Sequence, residues 1–237
     1  MSGKPTRTQQ RHRRSEAFFG RRKAKALSKE QERRFAELMP GLGIDPSLPS
    51  LKNLEEFFPG NPDQITLEIG FGGAEHLLHQ AQSFPQQGFI GVEPFVNSMA
   101  KALRGIEEKS LQNIRLYDED AVELLDWLPE ESVDRIDLLY PDPWPKLRHW
   151  KRRFVNHKNL DRIARVLKRG GRFHFVSDIE TYVNWTLQHC YHHPRFEWLA
   201  ENSNDWHSPY DNWVRTRYEA KAIREKRQPC YLRFERS

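Results

Sequence analysis

The sequence is poor in cysteine and has no long apolar run, and each lack excludes a class of protein. Cys190 and Cys230 are the only cysteines, too few for a disulfide framework or a four-ligand zinc site. One bridge or a mixed site stays open, but we expect free thiols and no metal. No apolar run approaches the roughly 20 residues that span a bilayer, and none follows the basic start as a secretory signal requires. The expected compartment is the cytosol.

Positive charge is concentrated in the first 25 residues. They contain nine Lys or Arg and one acid, Glu16, which gives a local net charge of +8. Because the whole chain has a net charge of +5, the remaining residues sum to −3. A basic arm on a nearly neutral body is typical of nucleic-acid binding, because each cation placed on a phosphate releases a counterion. The alternative is a solvated terminus without a function. The arm residues that we expect to contact RNA are Arg13, Arg14, Arg21 and Arg22.

Proline and glycine cluster in residues 41–64, which hold four prolines and three glycines and predict a linker. Before this segment, Ser28 followed by Gln31 forms a capping-box pattern that predicts a short helix. We therefore divide the chain into a basic arm with a short helix (1–40), a linker (41–64) and a compact domain (65–237).

The compact domain alternates short apolar runs with amphipathic patterns of about 10–15 residues, which predicts βαβ units around a parallel sheet. Two later runs, FEWLAEN and RQPCYLRFER, have strand character without a comparable helix between them and predict an antiparallel pair. The predicted fold is a doubly wound, Rossmann-like α/β domain. Its seven-stranded sheet is mostly parallel, with an antiparallel C-terminal pair.

Each predicted parallel strand carries an acid at or near its end. In an open α/β sheet, ligands bind outside the carboxyl ends of the strands, so these acids should meet at one edge. They are Glu68 in strand one, Glu93 after strand two, Asp118 to Asp120 after strand three, Asp142 after strand four and Asp178 after strand five.

Glycines follow the first strand at positions 70, 72 and 73. They permit a tight turn and the close approach of a ligand at a helix N-terminus, although an ordinary strand-to-helix turn is the alternative. A dinucleotide fingerprint would need its last glycine at Glu75, so a pyrophosphate is disfavoured. Glu93 is placed to accept both hydroxyls of a ribose. An adenosyl ligand without phosphates therefore fits Gly70, Gly72 and Glu93 better than NAD.

Residues 138–153, LLYPDPWPKLRHWKRR, place one acid between two prolines and follow it with a tryptophan and five cations. Pro141 and Pro143 fix their φ angles, and Trp144 offers a flat face for an unstacked base. The alternatives are a capped turn around Asp142 and a solvated loop. The cations expected to follow an RNA backbone are Lys146, Arg148, Lys151, Arg152 and Arg153.

Six motifs, LEIGFGGAEH, GVEP, DEDA, YPDPWPKLRHWKRR, VSD and TRYE, together resemble the bacterial tRNA (guanine-N7)-methyltransferase family, whose members are class I S-adenosylmethionine-dependent methyltransferases. The resemblance covers roughly residues 67–219 and extends to the basic arm. Its most specific part is PDPWPK followed by HWKRR. It implies transfer of a methyl group from S-adenosylmethionine to N7 of a guanine in tRNA, at position 46 of the variable loop.

The resemblance also implies roles for single residues. Glu68 would lie near the methionine part of the cofactor, Glu93 would hold the ribose hydroxyls, and Asp120 would accept from the adenine amino group or cap a helix. Asp142 matches the family's active-site acid, and the sequence leaves open whether it contacts cofactor, guanine or both. Guanine N7 carries a lone pair and no proton, so positioning and electrostatics, rather than a general base, must carry the rate. The other positions that match substrate contacts are Lys146, Asp178, Thr216, Arg217, Tyr218 and Glu219.

Two other functions stay open at this point. Asp142, Pro143 and Trp144 partly match the acid-proline-proline-aromatic signature of enzymes that methylate an exocyclic base amine, but the second proline is missing. A non-catalytic RNA-binding protein with a vestigial cofactor site is the other alternative. Loss of the cofactor site is disfavoured, because the expected cofactor residues are all present: Glu68, Gly70, Gly72, Glu93 and Asp120. The sequence does not determine the tRNA species or the oligomeric state, and a monomer is compatible with it.

Overall fold

The computed structural model describes residues 19–20 and 22–237. Three arginines of the predicted RNA-binding arm, Arg13, Arg14 and Arg21, lie outside the described residues. The helices are α1 Lys29–Leu42, α2 Glu75–Ser83, α3 Val96–Lys109, α4 Ala121–Trp127, α5 His157–Val166, α6 Glu180–Tyr191, α7 Asn204–His207 and α8 Arg217–Arg224. The strands are β1 Ile65–Ile69, β2 Gly88–Val92, β3 Ile114–Tyr117, β4 Val133–Leu139, β5 Leu167–Ser177, β6 Phe196–Trp198 and β7 Cys230–Arg236.

One seven-stranded sheet organises the chain, in the order β3-β2-β1-β4-β5-β7-β6. Strands β1 to β5 pair in parallel, and β7 pairs antiparallel with both β5 and β6. The predicted doubly wound fold with an antiparallel C-terminal pair is confirmed. The strand order reverses between β1 and β4, and this switch point is where such sheets open a ligand crevice.

The central strands are buried on both faces, as their nearly continuous apolar runs predict. All five residues of β1 and all five of β2 are buried. Helices α7 and α8 lie between the last two strands, where the sequence pattern did not predict a helix. Helix α7 has only four residues, and α8 is short and highly charged, with only Glu219 and Ala222 buried.

The capping box at Ser28 is confirmed, because its side chain accepts from the backbone of Gln31 and the Gln31 side chain accepts in return. Helix α1 packs its apolar side against the core formed by α2, α3 and the outer strands. The predicted linker, residues 41–64, also packs on the body: Ile44, Leu54 and Phe58 are buried, and Ile44 donates its N–H to a carbonyl at the edge of β3.

Within the part of the chain that the structure describes, no helix is both long enough and apolar enough to cross a membrane. Cys190 and Cys230 are free thiols, as expected.

Candidate active site

A cavity of about 540 Å³ opens at the carboxyl ends of the strands on both sides of the switch point. This volume lies in the usual range for small-molecule sites. Its walls combine apolar residues from strand ends with acids from the loops that follow them. The predicted cofactor residues that line it are Gly70, Gly72, Glu93, Asp120 and Asp142.

The glycine loop between β1 and α2 has a left-handed backbone at three positions. Gly70 has φ 74° and Gly72 has φ 54°, while Ala74, which precedes α2, has φ 64°. A Cβ at Gly70 would meet no atom within 4 Å, so its conformation, rather than space, requires glycine. A Cβ at Gly72 would stand 3.0 Å from the ring of Tyr218. The loop therefore needs glycine at position 72 for both conformation and space.

Glu93 is held rigidly at the end of β2. One carboxylate oxygen accepts from the N–H of Gly72 at 2.9 Å and the other from the N–H of Phe95 at 3.0 Å. Burial raises the pKa of this carboxyl group, and the two backbone bonds oppose that effect. Each carboxylate oxygen can accept a further bond, so the geometry suits a diol such as a ribose.

Asp120 caps helix α4 by accepting from the N–H of Val122 at 3.0 Å, which confirms the cap that the sequence offered as an alternative role. The residue also lines the cavity, so capping and ligand binding are compatible. Its contact with an adenine amino group stays a prediction.

Glu68 does not belong to the cavity wall. It lies within β1 on a buried face, and its carboxylate accepts from Nδ1 of His76 at 2.8 Å. The side chains of Glu68 and His76 are only 4% and 5% exposed. The predicted role of Glu68 near the methionine part of the cofactor stays a prediction.

The loop that carries Asp142 is bounded by two non-glycine residues in the left-handed region, Tyr140 with φ 50° and Trp144 with φ 45°. Bulky residues rarely adopt this conformation, and strained backbone of this kind clusters at functional sites. Asp142 lines the cavity, and desolvation raises the pKa of its carboxyl group. Among the described residues, no hydrogen bond engages this carboxylate, so its lone pairs are available to a ligand.

An aromatic rim borders Asp142. The ring of Trp144 meets Phe19 edge-on at 6.3 Å and His149 at 5.8 Å. The guanidinium of Arg152 lies 4.9 Å from the Trp144 ring and 5.4 Å from the Phe19 ring. The sequence reasoning missed Phe19. An aromatic pair inside a highly basic arm was the only signal for it.

The arm is attached next to this rim. Arg22 forms an ion pair with Glu119, and its carbonyl accepts from the N–H of Val96 at the start of α3. Asn97 accepts from the N–H of Ala24 at 3.0 Å. The base of the arm is therefore fixed at the cavity mouth.

The cation run after Asp142 divides into solvent-facing and buried members. Lys146, Arg148 and Lys151 are exposed, and Arg152 is half-buried against the aromatic rim. These four residues can reach a polyanion outside the cavity. Their contacts with RNA stay predictions.

Arg153 requires a correction, because its predicted phosphate contact does not fit this structure. The residue is 1% exposed, and its guanidinium donates to the carbonyl of Pro143 at 3.0 Å and to the carbonyl and hydroxyl of Thr181 at 2.8 and 3.1 Å. The rings of Trp150 and Tyr182 lie 4.3 and 4.8 Å from it. Arg153 therefore fastens the Asp142 loop to the start of α6.

Of the residues matched to substrate contacts, Tyr218 lines the cavity and stacks on Tyr140 with ring centroids 6.3 Å apart. Thr216 caps α8, and Asp178 accepts from Arg227 at 2.5 Å.

Glu219 is buried and accepts from Trp213 at 2.6 Å and from Tyr231 at 2.5 Å. Arg217 lies 3.9 Å from Glu75. Substrate contacts by Lys146, Asp178, Thr216, Arg217, Tyr218 and Glu219 stay predictions.

Comparison with known proteins agrees with this geometry. Residues 62–232 match a family model described as a putative methyltransferase. A tRNA (guanine-N(7)-)-methyltransferase from Agrobacterium fabrum is 60% identical over 226 residues, which cover 95% of this chain and 97% of the relative. One from Rhizobium meliloti is 59% identical and covers 94% and 96% of the two chains.

Solved structures support the fold alone. An rRNA methylase from Streptococcus thermophilus superposes with a TM-score of 0.50 at 11% identity, over 73% of this chain and 86% of that one. The 16S rRNA methyltransferase KamB gives a TM-score of 0.52 at 14% identity, over 74% and 89%. Since the sequence relatives are far more similar and extend over nearly the whole length, the chain belongs to the tRNA (guanine-N7)-methyltransferase family.

Proposed function

We propose that this protein transfers the methyl group of S-adenosylmethionine to N7 of a guanine in tRNA, at position 46 of the variable loop, and works in the cytoplasm. One observation carries the proposal: the preset carboxylate of Glu93 and the unengaged carboxylate of Asp142 face the same cavity. The first suits the ribose of the cofactor, and the second suits the base that receives the methyl group.

The residues present fit this cofactor. Apolar strand-end residues, Ile69, Val92 and Leu138, line the cavity and suit an adenine ring. Glu93 and Asp142 supply negative charge beside which a cationic sulfonium is favoured. When bound, the cofactor supplies an electrophilic methyl group, and the protein must hold the acceptor in line with it.

Asp142 acts on the guanine in this mechanism. Its carboxylate accepts from N1–H and from the exocyclic amino group, which fixes the base with N7 directed toward the cofactor. Because methylation at N7 leaves a cationic purine, the same negative charge stabilises the product-like transition state. No proton has to leave N7, so Asp142 is not required to act as a base there.

The surrounding residues orient the base and the RNA. The rings of Tyr140, Trp144 and Tyr218 give flat surfaces beside Asp142 on which an unstacked base can lie. Lys146, Arg148 and Lys151 are exposed in the segment that follows Asp142 and suit the phosphates of the flanking nucleotides. Arg152 contributes its charge from the aromatic rim.

Nucleoside mass spectrometry tests the proposal. The protein is incubated with a tRNA transcript and labelled S-adenosylmethionine, and the digest should contain labelled 7-methylguanosine. A transcript with adenine at position 46 is the matched control and should stay unlabelled. Label on an exocyclic amine would instead identify the alternative enzyme. No label and no calorimetric binding of S-adenosylhomocysteine would identify an RNA-binding protein without catalysis.

A further inference from the structure

The glycine loop of the cavity is closed at its base by a buried side-chain bond that the proposed mechanism does not use. Nδ1 of His76 lies 2.8 Å from the carboxylate of Glu68. Glu68 precedes the loop on β1 and His76 follows it in the first turn of α2, so the bond brackets residues 70–74. We call this bond the loop pin.

The loop that it brackets needs to be held. Gly70, Gly72 and Ala74 are all left-handed, and Ala74 is in this region despite its Cβ, which L-residues other than glycine avoid. At its tip, the loop is attached through the N–H of Gly72 to Glu93. The tip bond orients the carboxylate proposed to bind ribose. Any relaxation at the base of the loop therefore moves Gly72 relative to Glu93.

The surroundings of His76 shield the pin from water. The side chains of Glu68 and His76 are almost fully buried, and the ring of Trp213 lies 5.2 Å from the imidazole. Burial is the largest single effect and lowers the pKa of His76. The charge and hydrogen bond of Glu68, together with the charge of Asp137, outweigh burial and the opposing charge of Arg135, so the pKa of His76 lies above its ordinary value. The raised pKa favours the protonated imidazole, which donates a stronger hydrogen bond than the neutral ring.

Trp213, which covers His76, is held by a bond of its own. It donates its indole N–H to Glu219 at 2.6 Å, and Glu219 directly follows the cavity residue Tyr218, so this part of the substrate side does not depend on the pin. His76 itself does not line the cavity, so it can act on a ligand only through the loop.

We propose that His76 is a positioning residue for the cofactor: by pinning Glu68, it holds the glycine loop in the shape that sets Gly72 against Glu93. This inference rests on the proposed function, since it assumes that S-adenosylmethionine occupies the loop side of the cavity. It predicts that damage to the pin weakens cofactor binding and leaves RNA binding intact.

Three substitutions at one position test the inference. His76→Leu removes the imidazole donor and leaves the carboxylate of Glu68 buried without a partner, which can unfold the protein. His76→Ser also removes the imidazole donor, but it leaves space for water to solvate Glu68. The serine variant should therefore fold even if the leucine variant does not. His76→Asn restores a donor, because the asparagine amide nitrogen stands where Nδ1 stood. His79→Asn, three residues further along α2, is the matched control.

Calorimetry with S-adenosylhomocysteine should show roughly tenfold weaker binding for His76→Ser and His76→Leu, because the ligand must then order a loop that the protein no longer holds. His76→Asn should recover most of this loss, and His79→Asn should match the parent. In steady-state assays, the serine variant should raise KM for S-adenosylmethionine and leave KM for tRNA unchanged. A residue with a merely structural role would change both KM values together.

Hydrogen exchange of the amides in residues 70–74, measured without any ligand, should be faster in the serine variant than in the parent. A folded serine variant that binds S-adenosylhomocysteine within about threefold of the parent, well short of the expected loss, would overturn the inference. So would unchanged exchange in the loop. Failure of the proposed function is seen separately, because the parent itself would then fail to bind S-adenosylhomocysteine or to form 7-methylguanosine.

Discussion

The acids that we assign to the cofactor are held by bonds within the protein, whereas the part of the chain that the structure describes gives Asp142 and two of the cations that follow it no such partner. Glu93 accepts two backbone bonds, and Glu68 pairs with His76. Across the cavity, no hydrogen bond or ion pair among the described residues engages the side chains of Asp142, Lys146 or Lys151. Asp178 and Glu219, which also match substrate contacts, do have internal partners, so the contrast concerns the loop that carries Asp142, whose charged groups are left for the substrate to engage.

The difference follows from the sizes of the two ligands. A small cofactor makes few contacts, so each group that binds it must be fixed in advance to keep the ordering cost low. A tRNA brings many phosphates and can order exposed side chains as it binds, because counterion release favours that association. Substitutions at the cofactor end should therefore change cofactor affinity, and those at the substrate end should change RNA affinity or rate.

The sharpest test of this contrast is Asp142→Asn. The change is nearly isosteric and removes the charge facing the proposed guanine, so turnover should fall by about 10² to 10³, on the order of 3 to 4 kcal/mol. Affinity for S-adenosylhomocysteine should stay close to that of the parent. Single-turnover methylation at saturating tRNA and cofactor isolates the chemical step. Turnover within about threefold of the parent, far short of that loss, would show that Asp142 is only a turn residue.

The adjacent arginines give a matched pair for stability. Arg153→Met leaves the carbonyls of Pro143 and Thr181 without their donor in a buried place, so the free energy of unfolding should fall by about 2 to 4 kcal/mol. Arg152→Met removes a partly exposed cation and should change that free energy by less than about 0.5 kcal/mol. Urea unfolding of both variants measures the difference. Equal stability would mean that the buried and exposed cations do not differ as described.

Glu93→Ala tests the cofactor end alone. It removes the proposed acceptor of the ribose hydroxyls and the anchor of the Gly72 N–H, so affinity for S-adenosylhomocysteine should fall by roughly 10- to 100-fold. Affinity for tRNA should change much less. Calorimetry and filter binding measure the two quantities. Cofactor affinity equal to that of the parent would refute the ribose assignment.

Deleting residues 1–18 tests how much of the RNA affinity comes from the arm. Each lost phosphate contact should lower the slope of log K against log salt by about 0.7 to 0.9. Cofactor affinity should survive, because residues 22–25, which attach the arm to the body, are retained. An unchanged slope would show that residues 1–18 make no phosphate contacts and that the cations at 21–25 and 146–152 carry the RNA affinity.

The smallest expected effect is the pH dependence of stability at Asp142. Desolvation raises the pKa of the Asp142 carboxyl group above 3.8 in the folded protein, so ionisation of this group favours the unfolded chain. The contribution of Asp142 to the free energy of unfolding is therefore fully present below pH 3.8. It is lost as the pH rises through the pKa of the folded state. The melting temperature of Asp142→Asn should therefore equal or exceed that of the parent at pH 7, and its advantage should shrink below pH 4. An advantage that grew at low pH would contradict the raised pKa.

The sequence was sufficient to predict the sheet and the edge of it at which the cavity lies. Buried parallel strands give continuous apolar runs, and the acid that follows each run reaches one edge by topology alone. The positions of Glu93, Asp120 and Asp142 depend only on where a strand ends. These were the residues found in the cavity wall.

The sequence was not sufficient for the substrate end. A run such as WKRR does not show which cation turns inward, since that depends on Thr181 and on the aromatic rings of α6, far along the chain. Phe19 meets Trp144 from the opposite end of the sequence. Helix α8 is short and highly charged, and its buried Glu219 accepts from Trp213 and Tyr231, two partners that no local pattern reveals.

The position of β7 has a consequence for how the sheet is completed during folding. Strand β7, Cys230–Arg236, is inserted between β5 and β6 rather than added at the edge of the sheet, and its Tyr231 bonds Glu219 next to the cavity. Strand β6 therefore has no place in the sheet until residues 230–236 have paired with β5. A truncation that removed these residues would delete an internal strand and would leave Glu219 without one of its two donors.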